Sequence, residues 1–224
     1  MRIFEKVKVW WERPIEKNFV VLLRKFRRLS ISIFEAWMGY DFSGLISNAD
    51  LKGNAESISN ATAYQAYSPD QTIELLNELF LWKTDFRRFI DVGCGKGRQC
   101  IHIAHQLNFP EVLGIDFSED LVSIANANLA RSNEKVKNST RFITADARNW
   151  KLPHGRNVVF LFNPFDSELL NAFVKNNLDN FLNDGSVIVY ASDNNCEVLL
   201  ERGFNMIYRS IEIRSSILVL AKRN

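Results

Sequence analysis

The spacing of apolar positions changes character along the chain, and each change marks a different piece of structure. Near the start, Ile15, Phe19, Leu22, Leu23, Phe26 and Leu29 recur every three or four residues. That period predicts a helix with one apolar face. Arg24, Lys25, Arg27 and Arg28 cluster beside it. The expected arrangement is a helix packed on the rest of the protein with its basic side in water. A membrane surface, a nucleic-acid backbone or a partner protein are the sharper readings of the same basic side. From 41 to 66 the period is lost among Asn, Ser and Gly, which predicts a loop-rich connection and a candidate lid. Order returns at "YSPDQTIELLNELF". Ser68 with Gln71 three residues on forms a capping-box pattern, and Pro69 suits the first helical position. A helix over 69–81 follows, with Ile73, Leu76 and Phe80 expected inward.

From residue 88 the period alternates between that of strands and that of helices. "RFIDV", "EVLGID", "RFITAD", "NVVFLF" and "SVIVYA" read as strands. "GRQCIHIAHQL", "SEDLVSIANANLAR" (opened by Ser118), "SELLNAFVKNNLDNFL" and a short segment near Cys196–Arg202 read as helices. Such alternation builds a mostly parallel sheet with helices on both faces. The ending differs. "FNMIYRSIEIR" and "SILVLAKR" have no room for a helix between them, so they are expected to pair as an antiparallel hairpin. The fold class is therefore α/β, a doubly wound, mostly parallel seven-stranded sheet with a C-terminal antiparallel hairpin. Residues 1–66 form an N-terminal helical extension with the candidate lid, and residues 67–224 form the main domain.

Composition narrows the function only a little. The chain has 224 residues, 46% apolar and 24% charged, the balance of a globular protein. Net charge is +2, too small for a global field toward nucleic acid. It is uneven, since residues 1–30 hold nine Lys/Arg and three Glu. Cys94, Cys100 and Cys196 form no CxxC pair and no metal spacing with histidine. They point to a reducing compartment and a cytoplasmic location, with no metal expected. The run "FVVLL" is too short to span a bilayer or to serve as a secretory core.

The chemistry concentrates in "FIDVGCGKGR", residues 89–98. Gly93, Gly95 and Gly97 alternate with Cys94 and Lys96 between a strand and a helix. Glycines there let a ligand approach the backbone, and the helix start behind them favours polar or negative groups. The spacing departs from the nicotinamide fingerprint G-x-G-x-x-G and from the phosphate loop G-x-x-x-x-G-K-[ST]. An acid, Asp91, stands two residues before the first glycine. A second, Asp116, ends the second strand, where a carboxylate can accept from a ribose diol. A third, Asp146, ends the third strand. Taken alone, each of the last two is also an ordinary turn former.

Taken together, Asp91, Gly93, Cys94, Gly95, Gly97, Asp116, Asp146 and the closing hairpin resemble the class I S-adenosylmethionine (SAM) methyltransferases, over about residues 65–224. The resemblance implies a Rossmann-like fold and SAM as cofactor, with S-adenosylhomocysteine (SAH) as product. It places Asp91 and the glycine backbone at the amino-acid end of SAM. Asp116, with Phe117 beside it, falls at the ribose, Asp146 and Ala147 at the adenine, and Tyr67 near the methionine part. The phrase "GKGR", the "NPF" after the fourth strand, Asp41-Phe42-Ser43-Gly44 and Tyr67-Ser68-Pro69 are similar to a narrower bacterial group of methyltransferase-like proteins.

Asn163, Pro164 and Phe165 resemble the [DNS]-P-P-[YF] motif of amino-group methyltransferases, with one proline missing. The resemblance makes them the catalytic candidates, with Asn163 also beside the cofactor. The bland reading is a strand-to-helix turn, with Asp166 capping the next helix. The implied activity is methyl transfer to a nitrogen on a protein or small molecule, and nucleic acid ranks behind. A catalytically inactive SAM- or SAH-binding module, or a partner subunit, is the alternative. Lys96 and Arg98 either meet an acidic group or lie solvated, and His102 and His105 read as structural.

Overall fold

The computed structural model describes residues 14–43, 67–162 and 166–221. Seven strands form one sheet, in the order β3-β2-β1-β4-β5-β7-β6. They are β1 (Arg88–Val92), β2 (Glu111–Asp116), β3 (Thr140–Thr144), β4 (Asn157–Phe162), β5 (Val187–Ala191), β6 (Phe204–Ser210) and β7 (Ser215–Leu220). The first five run parallel, and β7 is antiparallel to both neighbours. The helices are α1 (Pro14–Met38), α2 (Pro69–Trp82), α3 (Arg98–Gln106), α4 (Glu119–Ala130), α5 (Glu134–Ser139), α6 (Ser167–Asn176) and α7 (Cys196–Glu201).

Central strands are buried along almost their whole length, and the outer strand β6 alternates. This is the signature of a sheet covered on both faces. Successive residues point to opposite faces. Phe89 and Phe160 join a core with Leu75, Leu76 and Leu79 of α2 and Ile101 of α3. Ile90, Val92 and Leu161 join another with Leu170, Phe173 and Val174 of α6. On the first face an aromatic chain runs from Phe80 through Phe109, Phe89 and Phe160 to Tyr67.

Register sets the working edge. Val92 is level with Ile115 and Leu161, and Asp116 is level with Thr144. The carboxyl ends of β1 to β4 thus share one edge. The chain order reverses between β1 and β4, the position where open α/β sheets form ligand crevices.

Local rules held in some places and lost in others. Ser118 caps α4, accepting from the Leu121 N–H, and Asp166 caps α6, accepting from the Leu169 N–H at 2.8 Å. The capping box at α2 does not form, because the Ser68 hydroxyl turns to the Asp70 carboxylate instead. Leu75, Leu76 and Leu79 carry the fully buried face of α2, while Ile73 and Phe80 are half-buried. The helix expected over 167–182 stops at Asn176. The Asn177 side chain accepts from the Leu152 N–H and donates to the Trp150 and Phe173 carbonyls, and a π-helical turn follows over Asn180–Asp184. In the hairpin, residues 211–214 form the turn, so Ile211 leaves the predicted strand.

The first helix is the main correction. Leu22, Leu23, Phe26 and Leu29, expected to pack inward, are exposed. The docked side carries Arg24, Phe34 and Glu35. Arg24 pairs with Glu74 of α2 and Glu212 of the hairpin turn. Phe34 meets the rings of His102 and His105 edge-on. Ion pairs and ring contacts with distant elements decide which side faces in. Tyr40 and Phe42 continue from α1 onto the same face, Phe42 fully in the core.

One close approach holds the edge together. A Cβ at Gly114 would stand 2.6 Å from Phe142 and 2.9 Å from the Cys94 Cβ, and one at Gly97 2.5 Å from Phe142. Gly114→Ala is expected to cost roughly 1–3 kcal/mol through overpacking. Denaturant unfolding checks this, and Phe142→Leu in the Gly114→Ala background should recover part of the loss.

Candidate functional site

The site begins where β1 turns into α3. Gly93, Gly95 and Gly97 all have positive φ, at 82°, 53° and 83°. Side chains rarely adopt that region, so glycine is required for the turn itself. The Gly93 and Cys94 N–H groups both donate to the Ile115 carbonyl, at 2.8 and 2.9 Å. The Gly95 N–H donates to Asp116 Oδ2 at 2.9 Å. The loop is thereby drawn across the end of β2.

Asp116 and Asp91 sit beneath it. Asp116 is buried and also accepts from the Ser118 N–H through Oδ1 at 2.9 Å. A carboxylate has about four lone-pair sites, so acceptor capacity remains beyond these amides. Burial pushes the Asp116 carboxyl up to about 6, with the N–H groups of Ser118, Gly95 and Phe117 limiting the rise. Burial pushes Asp91 up to about 8, and the charge of Asp116 adds to the rise. Cys100 Sγ lies 4.0 Å from Asp91 Oδ2. Two buried carboxyls at one sheet edge are costly when ionised. A ligand bringing donor groups or positive charge would relieve them.

The other candidates spread along the same edge. Asp146 follows β3, but its carboxylate is already engaged. It accepts from the Arg148 N–H at 2.9 Å and from the Arg148 guanidinium at 2.7 Å. Ala147 beside it is buried, and Phe117 is half-buried after β2. Tyr67 stacks its ring 4.5 Å from Phe162, the last residue of β4. Its carbonyl accepts from Arg98 and Gln99 at the start of α3. Burial pushes its phenol up to about 12. Cys94 is buried and its thiol is pushed up by burial, which leaves it no reactive thiolate. Asn163, Pro164 and Phe165 lie outside the described residues, as do residues 44–66 of the candidate lid.

Two cations named from sequence turn away from a ligand role. Lys96 Nζ meets Asp41 Oδ1 and the Ser43 carbonyl, both at 2.7 Å. Arg98 forms a two-pronged pair with Glu35, at 2.6 and 3.0 Å, and His102 Nε2 is 2.7 Å from the same carboxylate. Burial alone would raise Glu35, but the bonds from His102 and Arg98 outweigh it and hold the carboxyl below its ordinary range. Asn128 of α4 clamps the strap at residues 40–43. Its side chain accepts from the Asp41 N–H and donates to the Asp41 and Lys96 carbonyls. Sequence reasoning passed over Asn128, Glu35 and Arg148. Asn128 shares its helix stretch with a second asparagine, Asn126, so the sequence alone did not single it out.

Comparison with known proteins gives this edge a context. Residues 89–181 match a protein family described as "Methyltransferase domain". The match takes in the glycine loop, Asp116, Asp146 and β4. A stretch of 80 residues is 32% identical to trans-aconitate 2-methyltransferase of Rhodopseudomonas palustris (strain BisA53), covering 36% of this chain and 28% of that protein. The chain therefore matches just over a quarter of that relative's length. Among solved structures, the glycopeptide N-methyltransferase MtfA complexed with SAM aligns with a TM-score of 0.54 at 12% identity, over 66% of this chain and 92% of that one. The methyltransferase domain of bacterial CtHen1 aligns at 0.50 with 14% identity, over 68% and 100%. At such identities the likeness is one of fold alone: a mostly parallel, Rossmann-like α/β sheet with an antiparallel strand pair at its C-terminal end.

The buried carboxyls give a pH signature. Both hold their proton more tightly in the folded chain than in the unfolded one, where the ordinary value is about 3.9. Between pH about 4 and about 8 the folded state binds more protons, so its stability should fall as pH rises across that window. Asp91→Asn should flatten the slope and raise the melting midpoint above neutral pH. Each 1 kcal/mol gained is worth about 2–4 °C. Thermal melts of the unligated protein across this range would show it, and an unchanged slope would count against the assignment.

Proposed function

We propose that the chain is a class I SAM-dependent methyltransferase acting on a nitrogen of a protein or small-molecule acceptor. Residues 67–224 would form the SAM-binding domain, and residues 1–66 its helical extension. The observation that carries this reading is the pair of buried acids, Asp91 and Asp116, under a glycine loop at the sheet's switch point. SAM is cationic at its amino group and sulfonium and carries a ribose diol. It matches what two confined carboxyls lack. The family match over 89–181 and the fold likeness support the same reading.

The residues then divide the work. Asp116, fixed by the backbone amides of Gly95 and Ser118 among others, accepts from the ribose hydroxyls with its remaining lone pairs. Asp91 and the turn at Gly93, Cys94, Gly95 and Gly97 receive the amino-acid end. Ala147 offers backbone to the adenine, with Phe117 flanking the ring. Asp146 shares that duty only as far as Arg148 releases it. Tyr67 closes the methionine side against Phe162. Asn163 and Pro164 accept from the acceptor's N–H groups, and Phe165 packs on it. Bound SAM supplies an electrophilic methyl group, and SAH leaves. The chain's main task is to align the nucleophile and take up its proton. Three buried free cysteines suit a reducing cytoplasm.

The missing second proline favours one other reading, a SAM-binding module without turnover. Calorimetric titration of SAH tests the common ground. Asp116→Ala should weaken binding by roughly 1.5–3 kcal/mol, the worth of a hydrogen bond to a charged group. Affinity should also fall as the pH drops through about 6, where Asp116 takes a proton. A loss of a few tenths of a kcal/mol would remove Asp116 from the ribose, and a folded wild type that ignores SAH overturns the proposal. Asn163→Ala, which removes a group beside the cofactor as well as one toward the acceptor, should weaken SAH binding less than Asp116→Ala does and abolish conversion of SAM to SAH in the presence of lysate. A wild type that binds SAH but never turns over is the module.

A further inference from the structure

The outer face of α1 is left without a role by the site at the sheet edge. At 3.6 residues per turn, Arg24, Ile31, Glu35 and Met38 line one stripe, and Leu22, Phe26, Leu29 and Ile33 line the stripe opposite. The first stripe is half-buried. The second is open: Leu22 is 49% exposed, Phe26 60%, Leu29 56% and Ile33 62%. Trp37 beside it is 80% exposed. Isolated exposed apolar residues are ordinary, but a contiguous stripe of aliphatic and aromatic side chains marks an interaction surface.

The helix cannot roll to hide this stripe. Arg24 is tied to Glu74 and Glu212, and Glu35 to Arg98 and His102. Turning the apolar side inward would break both sets and leave partly buried charges behind.

Charge decides what covers it. Lys25, Arg27 and Arg28 flank the stripe and are exposed. The one acid between residues 21 and 38 is Glu35, which faces inward. Over residues 21–38 a second copy would bring the same basic flanks against these, with no outward acid in that stretch to answer them. The stripe is also broader than a coiled-coil seam, since Leu23 and Trp37 extend it to one side. An apolar face with bulky aromatics, edged on both sides by cations, fits the boundary of an anionic bilayer. There the apolar side chains enter the acyl region, Trp37 sits at the headgroup level, and the cations reach up to phosphates. The sequence before α1 is net basic and aromatic as well, with Arg2, Lys6, Lys8 and Arg13 against Glu5 and Glu12, among Phe4, Trp10 and Trp11. No helix of the described residues is long and apolar enough to cross a membrane, so the contact is one of lying on the surface.

We propose that α1 binds the surface of anionic lipid bilayers through Leu22, Phe26, Leu29, Ile33 and Trp37, with Lys25, Arg27 and Arg28 contacting the headgroups. The test is sedimentation of the full chain with vesicles of phosphatidylcholine containing about 30 mol% phosphatidylglycerol, against phosphatidylcholine alone. The wild type should pellet with the anionic vesicles, and salt at about 0.5 M should weaken this. The combined Lys25→Ala, Arg27→Ala and Arg28→Ala variant should lose on the order of a hundredfold in partition, about fivefold per cation. Phe26→Ser with Leu29→Ser should lose roughly tenfold or more. These positions are exposed, so both variants should keep the wild-type melting curve. Equal uptake by neutral vesicles overturns the proposal, as does full retention by either variant or no uptake at all. A light-scattering dimer that Phe26→Ser with Leu29→Ser dissolves, with no vesicle uptake, would instead make the stripe a subunit interface.

Discussion

The site depends on the carbonyl oxygen of Ile115. It accepts from two successive amides, those of Gly93 and Cys94, and so pulls the chain leaving β1 sideways over β2. Everything at the edge follows from that displacement. The next amide, Gly95, lands on Asp116. The turn can then close only through positive φ, which glycine tolerates. Helix α3 starts so near β3 that Phe142 leaves no room for a Cβ at Gly97, and the same ring crowds Gly114, its register partner on β2. A backbone contact of this kind does not depend on which side chains surround it, and it sets a fixed frame in which two acids can be buried.

Burying those acids is a cost that the fold carries elsewhere. Most of the sheet is saturated with Val, Ile, Leu and Phe on both faces, and the aromatic chain from Phe80 to Tyr67 stiffens one of them. The strap at residues 40–43 closes the glycine loop from the far side. Its grip is polar: Asn128 holds it by the backbone, and Lys96 holds it through Asp41 and Ser43. Rigid apolar support below and polar clamps above leave Asp91 and Asp116 little freedom to move away from one another.

The sheet, its hairpin and the glycine turn were legible from sequence because they rest on periodicity and on backbone geometry, both of which are local. "RFIDV" and "NVVFLF" could be read as buried strands without knowing their neighbours. The gathering of Asp91, Gly95 and Asp116 followed from strand ends in register. The orientation of α1 was not legible. Its apolar periodicity pointed inward, but Glu74, Glu212, Arg98 and His102, all remote in sequence, selected the opposite side. The inward turn of Lys96 and the capture of Asp146 by Arg148 escaped for the same reason. A charge in a sequence does not announce its partner. At α2, Ser68 and Gln71 had the spacing of a cap, but Asp70, one residue nearer, competed for the hydroxyl.

The placement of β7 bears on how the chain assembles. The strands from β2 to β5 are each laid beside one already made, β4 by returning to the other side of β1. In contrast, β6 has no partner when it is synthesised. Its place in the sheet exists only once residues 215–220 have paired with β5 on one side and with it on the other. Vectorial synthesis can therefore complete the parallel half and the glycine turn first, while β5 waits with an open edge. Lesions in the last strand would strike the interior of the sheet, not its margin, and would expose two strand edges at once.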